Sequence, residues 1–485
     1  MSLLALSGTN SVSGGYDIDN SLKLEQDNSE YLKATNTFAY TTPTSFTTGT
    51  FSCWVKRTEI GAGGYQASVF VSGSSARYAV LYFENDQIKI YSGDSSFNST
   101  YPLTNAVFRD TSAWYHIVLR FDSTDSTAAN RLRLYVNGEE QTWSTAPNIT
   151  QNGHITFAAI SGPTWHAWGQ NYGYFSPTNF FSGYLAEAQY IDGQALAPTE
   201  FGETDSDSDI WKPKEYDGTY GNAGYYLDFE DSSNLGKDVS GNGFDFDLTN
   251  ITAADQAVDS PTNNFCTINA VVGTDSTISE GATKFTNHGV NGWETFVATM
   301  GAGTSGKWYA EFQVVDHGYG DNFIGISPID DPDLNRGFGT SFAYLGSDTS
   351  LDESVGYYAA GGNRYIGGGT ASYGNSYTTT DIMSVAVDMD NGKLYFAKNG
   401  TWQNSGDPTS GSTGTGALDV RGATKPQTIS GSVYYANHAM KANYGGFTTI
   451  SISSPQSDAN GYGTFEYAPP SGYYALCTKN LAEYG

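Results

Sequence analysis

Apolar and polar residues alternating with a period of two, closed by Asn-Gly pairs, are the strongest constraint in this 485-residue sequence. In FSCWVKR (51–57) the side chains of Phe51, Cys53 and Val55 share one face of a strand. In WYHIVLRF (114–121) Trp114, His116, Val118 and Arg120 oppose Tyr115, Ile117, Leu119 and Phe121. RLRLYVNGEEQ sets Leu132, Leu134 and Val136 together and then reaches Asn137-Gly138, the dipeptide suited to a hairpin turn with positive φ at both central residues. The same grammar returns in SVAVDMDNGKLYFAKNGTWQ, which turns at Asn391-Gly392, runs through Leu394 and Phe396, and turns again at Asn399-Gly400, a meander. Helical periodicity sustained over about a dozen residues is hard to find. The expected fold class is all-β, built of antiparallel sandwiches.

Composition sharpens this. Tyr, Phe and Trp make up 14% of the chain and there are 57 glycines, so rings can fill cores while Gly, Asn, Asp and Ser make the turns. Disorder from apolar poverty is excluded. A formal net charge of −28 repels nucleic-acid phosphate rather than attracting it. The three cysteines, Cys53, Cys266 and Cys477, are too far apart for a metal knuckle or a disulfide framework and are expected to be free and mostly buried. The start MSLLALSGTNSVSGG has no positive n-region, and its apolar run is shorter than the roughly 7–15 residues of a secretory h-region. No window reaches the about 18 apolar residues of a bilayer-spanning helix.

At roughly 100–200 residues per domain, the length suits two or three domains. Met1 to Asn20 is rich in Ser, Gly and Asn and reads as an arm that orders only against another protein. Residues 21–201 carry one set of strand signals. Residues 202–265, with the acidic run DSDSD and the segment WKPKEYDGTYG, read as a connector hugging that first domain. A boundary falls near DSPTNNF (259–265), where Pro261 and its polar neighbours end one pattern. Residues 266–470 hold the second domain, and 471–485 a strand and a short tail.

Little in the chain points to catalysis. The ExDxxE carboxylate pattern of jelly-roll glycanases is absent, and the nearest pairs, Asp228 with Glu230 and Asp388 with Asp390, sit beside turns as solvated or capping acids. The six histidines show no HExxH spacing, and there is no GxSxG. The glycine-rich stretch 361–377 opens no helix, so it lacks the amides of a phosphate cradle. No cofactor is required. In DVSGNGFDFD the residues Asp238, Ser240, Asn242, Asp245 and Asp247 offer oxygen ligands of the kind Ca²⁺ prefers, although a turn tied by Asx hydrogen bonds is the simpler reading.

Sugar recognition needs aromatic faces with amide and carboxylate groups beside them. PTWHAWGQNYGYF (163–175) supplies Trp165, His166, Trp168, Tyr172 and Tyr174, with Gly169 and Gly173 interrupting any strand period. In the second domain, Tyr319 in DHGYGDN and the group Tyr365, Tyr373 and Tyr377 are similar. The competing reading packs these rings under loops or between subunits. An aromatic contact adds about 0.5–1.5 kcal/mol beyond burial, so two or three rings give only millimolar binding, near −4 kcal/mol. Several copies acting together would raise avidity roughly 10²–10⁴-fold.

SLKLEQDNSEYLKATNTF (21–38), followed by FSCWVKR, WYHIVLRFD, RLRLYVNG and FSGYLAEAQYIDGQAL (181–196), resembles a laminin-G-like domain of the concanavalin A-like superfamily. GKWYAEFQV, FIGIS, SVGYYAAGG, DIMSVAVDMDNGKLYFAKNGTW and NYGG, between 306 and 446, resemble a SPRY domain. The resemblance implies two jelly-roll sandwiches in series, the second binding through loops at one end. With YYLDFEDSSNLGKDVSGNGFDF, DSPTNNFCTIN and PPSGYYALCTKNLAE added, the whole order is similar to virion proteins of marine tailed bacteriophages. That likeness implies a non-catalytic tail-fibre or receptor-binding adhesin on the virion exterior, made in the host cytoplasm without a signal peptide. It further implies docking to other virion proteins through the N-terminal segment, binding of host-surface glycans, a homotrimer by analogy, and neither nucleic-acid binding nor membrane insertion. Two rivals stand beside it: a capsid decoration or head-fibre protein with a structural role, and a polysaccharide depolymerase, which would need acids converging in a groove.

Overall fold

The computed structural model describes residues 15–34, 42–61, 67–73, 78–92, 100–158, 165–170, 179–271, 276–289, 291–316, 318–331, 344–347, 353–420 and 424–485. They divide into two compact units, one ending at Thr262 and the other spanning Asn263–Gly485. All three cysteines are free and buried. No helix among the described residues is long and apolar enough to cross a membrane.

In the first unit, Thr48–Arg57 is the spine of one sheet, pairing antiparallel with Trp114–Asp122 on one side and Gly183–Asp192 on the other. Leu132–Val136 extends one edge and Ser21–Leu24 the other. The second sheet runs through Gln87–Ser92, Tyr78–Glu84, Ser68–Gly73, Trp165–Trp168, Tyr31–Ala34 and Phe246–Thr249. The alternation seen in the sequence sets the core between them. Phe51, Cys53, Val55, Ile117, Leu119, Phe121, Leu132 and Leu134 point inward against Phe70, Leu81, Ile90 and Leu32. The Asn137-Gly138 turn has the expected positive φ at both residues, 50° and 80°.

Residues 202–262 are more than a connector. Tyr225–Leu227 and Gln256–Ala257 add strands to the first sheet, and Phe246–Thr249 closes an edge of the second. These strands are two to four residues long, too short for a period to be read. The same stretch covers the outer face of the first sheet, where Phe201, Tyr216 and Tyr220 pack on Val118, Ile191 and Tyr135. Trp211 lies over His116 and donates its indole N–H to Nδ1 at 3.0 Å. A Cβ on Gly138 would come within 2.5 Å of that indole, so the turn glycine also makes room for the ring.

The N-terminal arm also differs from expectation where it is described. The Tyr16 hydroxyl donates to Glu187 at 3.0 Å, and the buried Ile18 exchanges two backbone hydrogen bonds with the Thr262 hydroxyl. Residues 16–20 are thus strapped to the first unit, and any free arm is confined to residues before them.

In the second unit, Lys307–Val314 is flanked by Ile382–Asp388 and Ala439–Asn443 in a nine-stranded sheet. Asn322–Pro328 is flanked by Gln427–Val433 and Val355–Tyr358 in a six-stranded one. Trp308, Phe312, Val385, Phe396 and Met440 from the first meet Ile324, Ile326, Tyr357 and Ile429 from the second. The Asn399-Gly400 turn has positive φ at both residues, whereas at Asn391-Gly392 only Gly392 does. There Asp388 accepts the Asn391 N–H at 3.0 Å and closes a four-residue loop instead of a two-residue turn.

The expected tail is a short helix, Thr478–Tyr484. It is fixed by residues far away in sequence: Asn264 and Thr478 exchange two hydrogen bonds, Cys266 N–H donates to Leu476 O at 2.9 Å, and the Asp458 carboxylate accepts from Ala475 N and Asn480 Nδ2. The two ends of the unit are therefore sewn together.

Candidate functional site

The loop expected to present rings from the first unit does not do so where it is described. Trp165–Trp168 is a strand inside the second sheet, paired on both sides, and all four residues are buried. His166 and Trp168 face the core, the imidazole lying 5.1 Å from Tyr190 and 5.2 Å from Phe70. Trp165 faces the other way, among Val71, Tyr78, Val80 and Tyr82. A strand buried on both faces carries no alternation, which is why WHAW resembles a loop in sequence. Tyr172 and Tyr174 lie outside the described residues. In the second unit Tyr373 and Tyr377 are also core residues, their hydroxyls donating to Gly416 O and Tyr357 O, both at 3.0 Å.

Tyr319 and Tyr365 behave differently, because they stand at the two ends of one aromatic surface on the outer face of the six-stranded sheet. Pairing sets Phe323 opposite Tyr358 and Gly356 opposite Tyr365, so Phe323, Tyr358 and Tyr365 emerge on the side away from the core. Their rings lie 4.9–5.7 Å apart. Tyr344 stacks on Phe323 at 4.7 Å, and Trp293 joins both, at 4.8 Å from Tyr344 and 5.1 Å from Phe323. Trp293 then meets Tyr434 at 5.2 Å, Tyr434 meets Tyr435 at 5.1 Å, and Tyr435 meets Tyr319 at 5.7 Å and His438 at 5.3 Å. Phe323 is buried, Trp293, Tyr344, Tyr358, Tyr365, Tyr434 and Tyr435 are half-buried, and Tyr319 is 83% exposed.

This surface exists because the sheet beneath it is thin. Gly356 carries no side chain where the segment Tyr344–Ser347 crosses the strand; a Cβ there would meet the Leu345 carbonyl oxygen at 2.2 Å. Leu345 N–H donates to Ser432 Oγ and Gly346 N–H to Ser354 Oγ, at 3.2 and 2.9 Å. The crossing segment delivers Tyr344 to the cluster.

One carboxylate belongs to it. Asp321 Oδ1 accepts the Tyr358 hydroxyl at 2.5 Å. Burial first, then that carboxylate, pushes the Tyr358 phenol well above its ordinary range, and the Tyr435 phenol moves the same way for the same reasons. Both remain neutral donors at physiological pH. The arrangement offers flat apolar faces, hydroxyls at their rims and an anionic acceptor among them.

The other oxygen clusters serve the fold. Asp238 accepts backbone N–H groups from Tyr226, Ser240 and Phe244 at 2.8–3.0 Å, Asp245 accepts from Asp238 N, and the Asn242 amide donates to Gly221 O and Gly224 O. The residues considered for calcium thus tie an Asx-bonded turn, with Asp247 set apart on the strand Phe246–Thr249. No group of three or more metal-binding side chains occurs among the described residues. Asp228 caps Glu230 N, Asp388 pairs with Lys307 at 3.0 Å, and Asp390 accepts Gly306 N.

Two acids that the sequence did not single out are perturbed. Burial, then the neighbouring Glu25, pushes Glu59 up to about 7; Ser182 Oγ lies 3.1 Å from a carboxyl oxygen of each. Burial likewise pushes Glu187 up to about 7, against the stabilising hydroxyls of Tyr226 and Tyr16. Burial drops His116 and His166 to about 3. The two pairs act in opposite directions. The folded acids hold protons that the unfolded chain releases above about 4.5, so stability is lost as pH rises from there through 7. The folded histidines refuse protons that the unfolded chain binds below about 6.5, so stability is lost as pH falls from there through 3. The first unit should therefore show a broad stability plateau between about pH 4.5 and 6.5. In thermal melts across pH, the E59Q/E187Q variant should lose the decline that wild type shows between pH 6.5 and 7.5. A decline of equal size in both proteins would contradict the assignment.

Residues 26–200 match the concanavalin A-like lectin/glucanases superfamily, laminin G type, and residues 307–418 match the SPRY domain. No curated protein matches the chain. Among solved structures, the SPRY domain of human HERC1 is 17% identical, covering 38% of this chain and 99% of that one, with a TM-score of 0.28. A heptameric SAP-like pentraxin from Limulus polyphemus is 19% identical over 38% of this chain and 80% of its own, with a TM-score of 0.28. A Bacteroides ovatus protein is 15% identical over 48% and 60%, with a TM-score of 0.34. The chain carries a concanavalin A-like domain followed by a SPRY domain, both all-β, and these folds fit a binding role.

Proposed function

We propose that the chain is a non-catalytic adhesin of a bacteriophage particle, a tail-fibre or receptor-binding protein that contacts host-surface glycans. The ring-lined surface from Tyr365 to Tyr319 on the SPRY domain is its binding face. What supports this reading is the continuity of that surface. Half-buried rings on five separate segments converge on one face and end in a tyrosine that is 83% exposed. Stacking on pyranose C–H groups is sequence-tolerant and weak per ring, which suits a particle carrying several copies. Trimer formation and docking through the residues ahead of Tyr16 belong to the same proposal.

Adsorption of the purified, labelled chain to intact host cells tests it. Wild type is expected to bind, and Tyr319→Ala to bind at least tenfold more weakly while melting at the same temperature. Equal adsorption by both proteins would move the binding face elsewhere.

A further inference from the structure

Resting on that reading, we infer that the surface around Asp321 selects uncharged or basic glycans and discriminates against acidic ones. Asp321 is half-buried beside Tyr358, whose hydroxyl donates to it. A carboxylate is acceptor-only with about four lone-pair sites. The Tyr358 phenol occupies part of that capacity, and the remainder suits hydroxyls on adjacent carbons of a sugar ring, each giving one proton. Among the described residues no lysine or arginine pairs with Asp321. Asp321 thus adds to the described part of this face a negative charge that no lysine or arginine neutralises by pairing with it.

Distance decides how much the rest of the chain matters. The net charge of −28 is screened beyond roughly 8 Å in physiological salt, so it slows the approach of a polyanion without selecting at the site. Asp321, within the ring cluster, acts at contact range. Ring faces carry negative quadrupoles, which favour pyranose C–H groups or an ammonium over an anion. Both effects act with the same sign.

The test is retention of the full chain on immobilised oligosaccharides at physiological salt. The arms are neutral (glucose, galactose and mannose oligomers), basic (glucosamine oligomers) and acidic (polygalacturonate and a sulfated fucan). At least one neutral or basic arm should be retained, with acidic arms at least tenfold weaker. Asp321→Asn keeps an acceptor for Tyr358 and removes the charge. It should bring the acidic arms to within about threefold of the neutral ones, and Tyr319→Ala should weaken every retained arm together. Acidic glycans held as well as neutral ones by wild type would overturn the selectivity while leaving the glycan-binding reading intact. Retention on no arm would overturn both.

Discussion

Replacing Lys56 by methionine should cost the first unit about 3–5 kcal/mol. Lys56 and Asp259 form an ion pair of 2.7 Å with side chains 0% and 1% exposed. Lys56 lies on the central strand Thr48–Arg57, next to Tyr184 across the sheet, with its ammonium 5.8 Å from that ring. Asp259 also accepts the Trp114 indole N–H at 3.1 Å, and its carbonyl accepts the Ser21 hydroxyl at 2.6 Å. Methionine fills the volume but leaves a carboxylate in the interior without its counter-ion, and this desolvated charge is the source of the penalty. Removing both charges in K56M/D259L should recover most of the loss, because the desolvation cost of each ion then vanishes. Calorimetry would check this, with the first unit's transition lowered in K56M and largely restored in the double variant. A K56M transition within about a degree of wild type would mean that the pair is hydrated.

Gly356→Val should have the largest effect on the binding face. The added Cβ would stand 2.2 Å from the Leu345 carbonyl oxygen and 2.9 Å from the Phe323 ring. Backbone on the crossing segment and a buried ring on the same strand pair cannot both give way. Tyr344–Ser347 must lift from the sheet, losing the hydrogen bonds to Ser432 and Ser354 and drawing the Tyr344 ring away from Trp293 and Phe323. Overpacking of this kind costs about 1–3 kcal/mol. Glycan retention should fall with it, whereas Tyr319→Ala should reduce retention with the melting temperature unchanged. Unaltered retention by a folded G356V protein would separate the crossing segment from the site.

The contrast between these two positions shows what the sequence makes legible. Strands that bury one face, such as Trp114–Asp122 and Leu132–Val136, declare themselves through alternation, and the turns at Asn137-Gly138 and Asn399-Gly400 through local backbone chemistry. Buried ion pairs such as Lys56 with Asp259 do not, since their partners are 203 positions apart. The ring surface is equally non-local. Trp293, Tyr344, Tyr358 and Tyr434 each look like ordinary strand or loop residues, and only register and one crossing segment bring them together with Tyr319 and Tyr365. Tyr319 stands out in the sequence because glycines flank it in a loop, and its ring is exposed in the structure. Trp165, His166 and Trp168 were misleading because a strand buried on both sides has the composition of a binding loop without its exposure. Tyr373 and Tyr377 were misleading because their rings turn inward to finish the core, each hydroxyl taken by a backbone carbonyl.

Hydroxyl-radical footprinting of the chain bound to host envelope tests the binding face most directly. Oxidation of Tyr319, Tyr435 and Tyr365 should fall on binding, while Tyr101 of the first domain, 39% exposed, keeps its free-state rate. Protection confined to the concanavalin A-like domain, with Tyr319 oxidised as fast in the bound state as in the free one, would contradict the account.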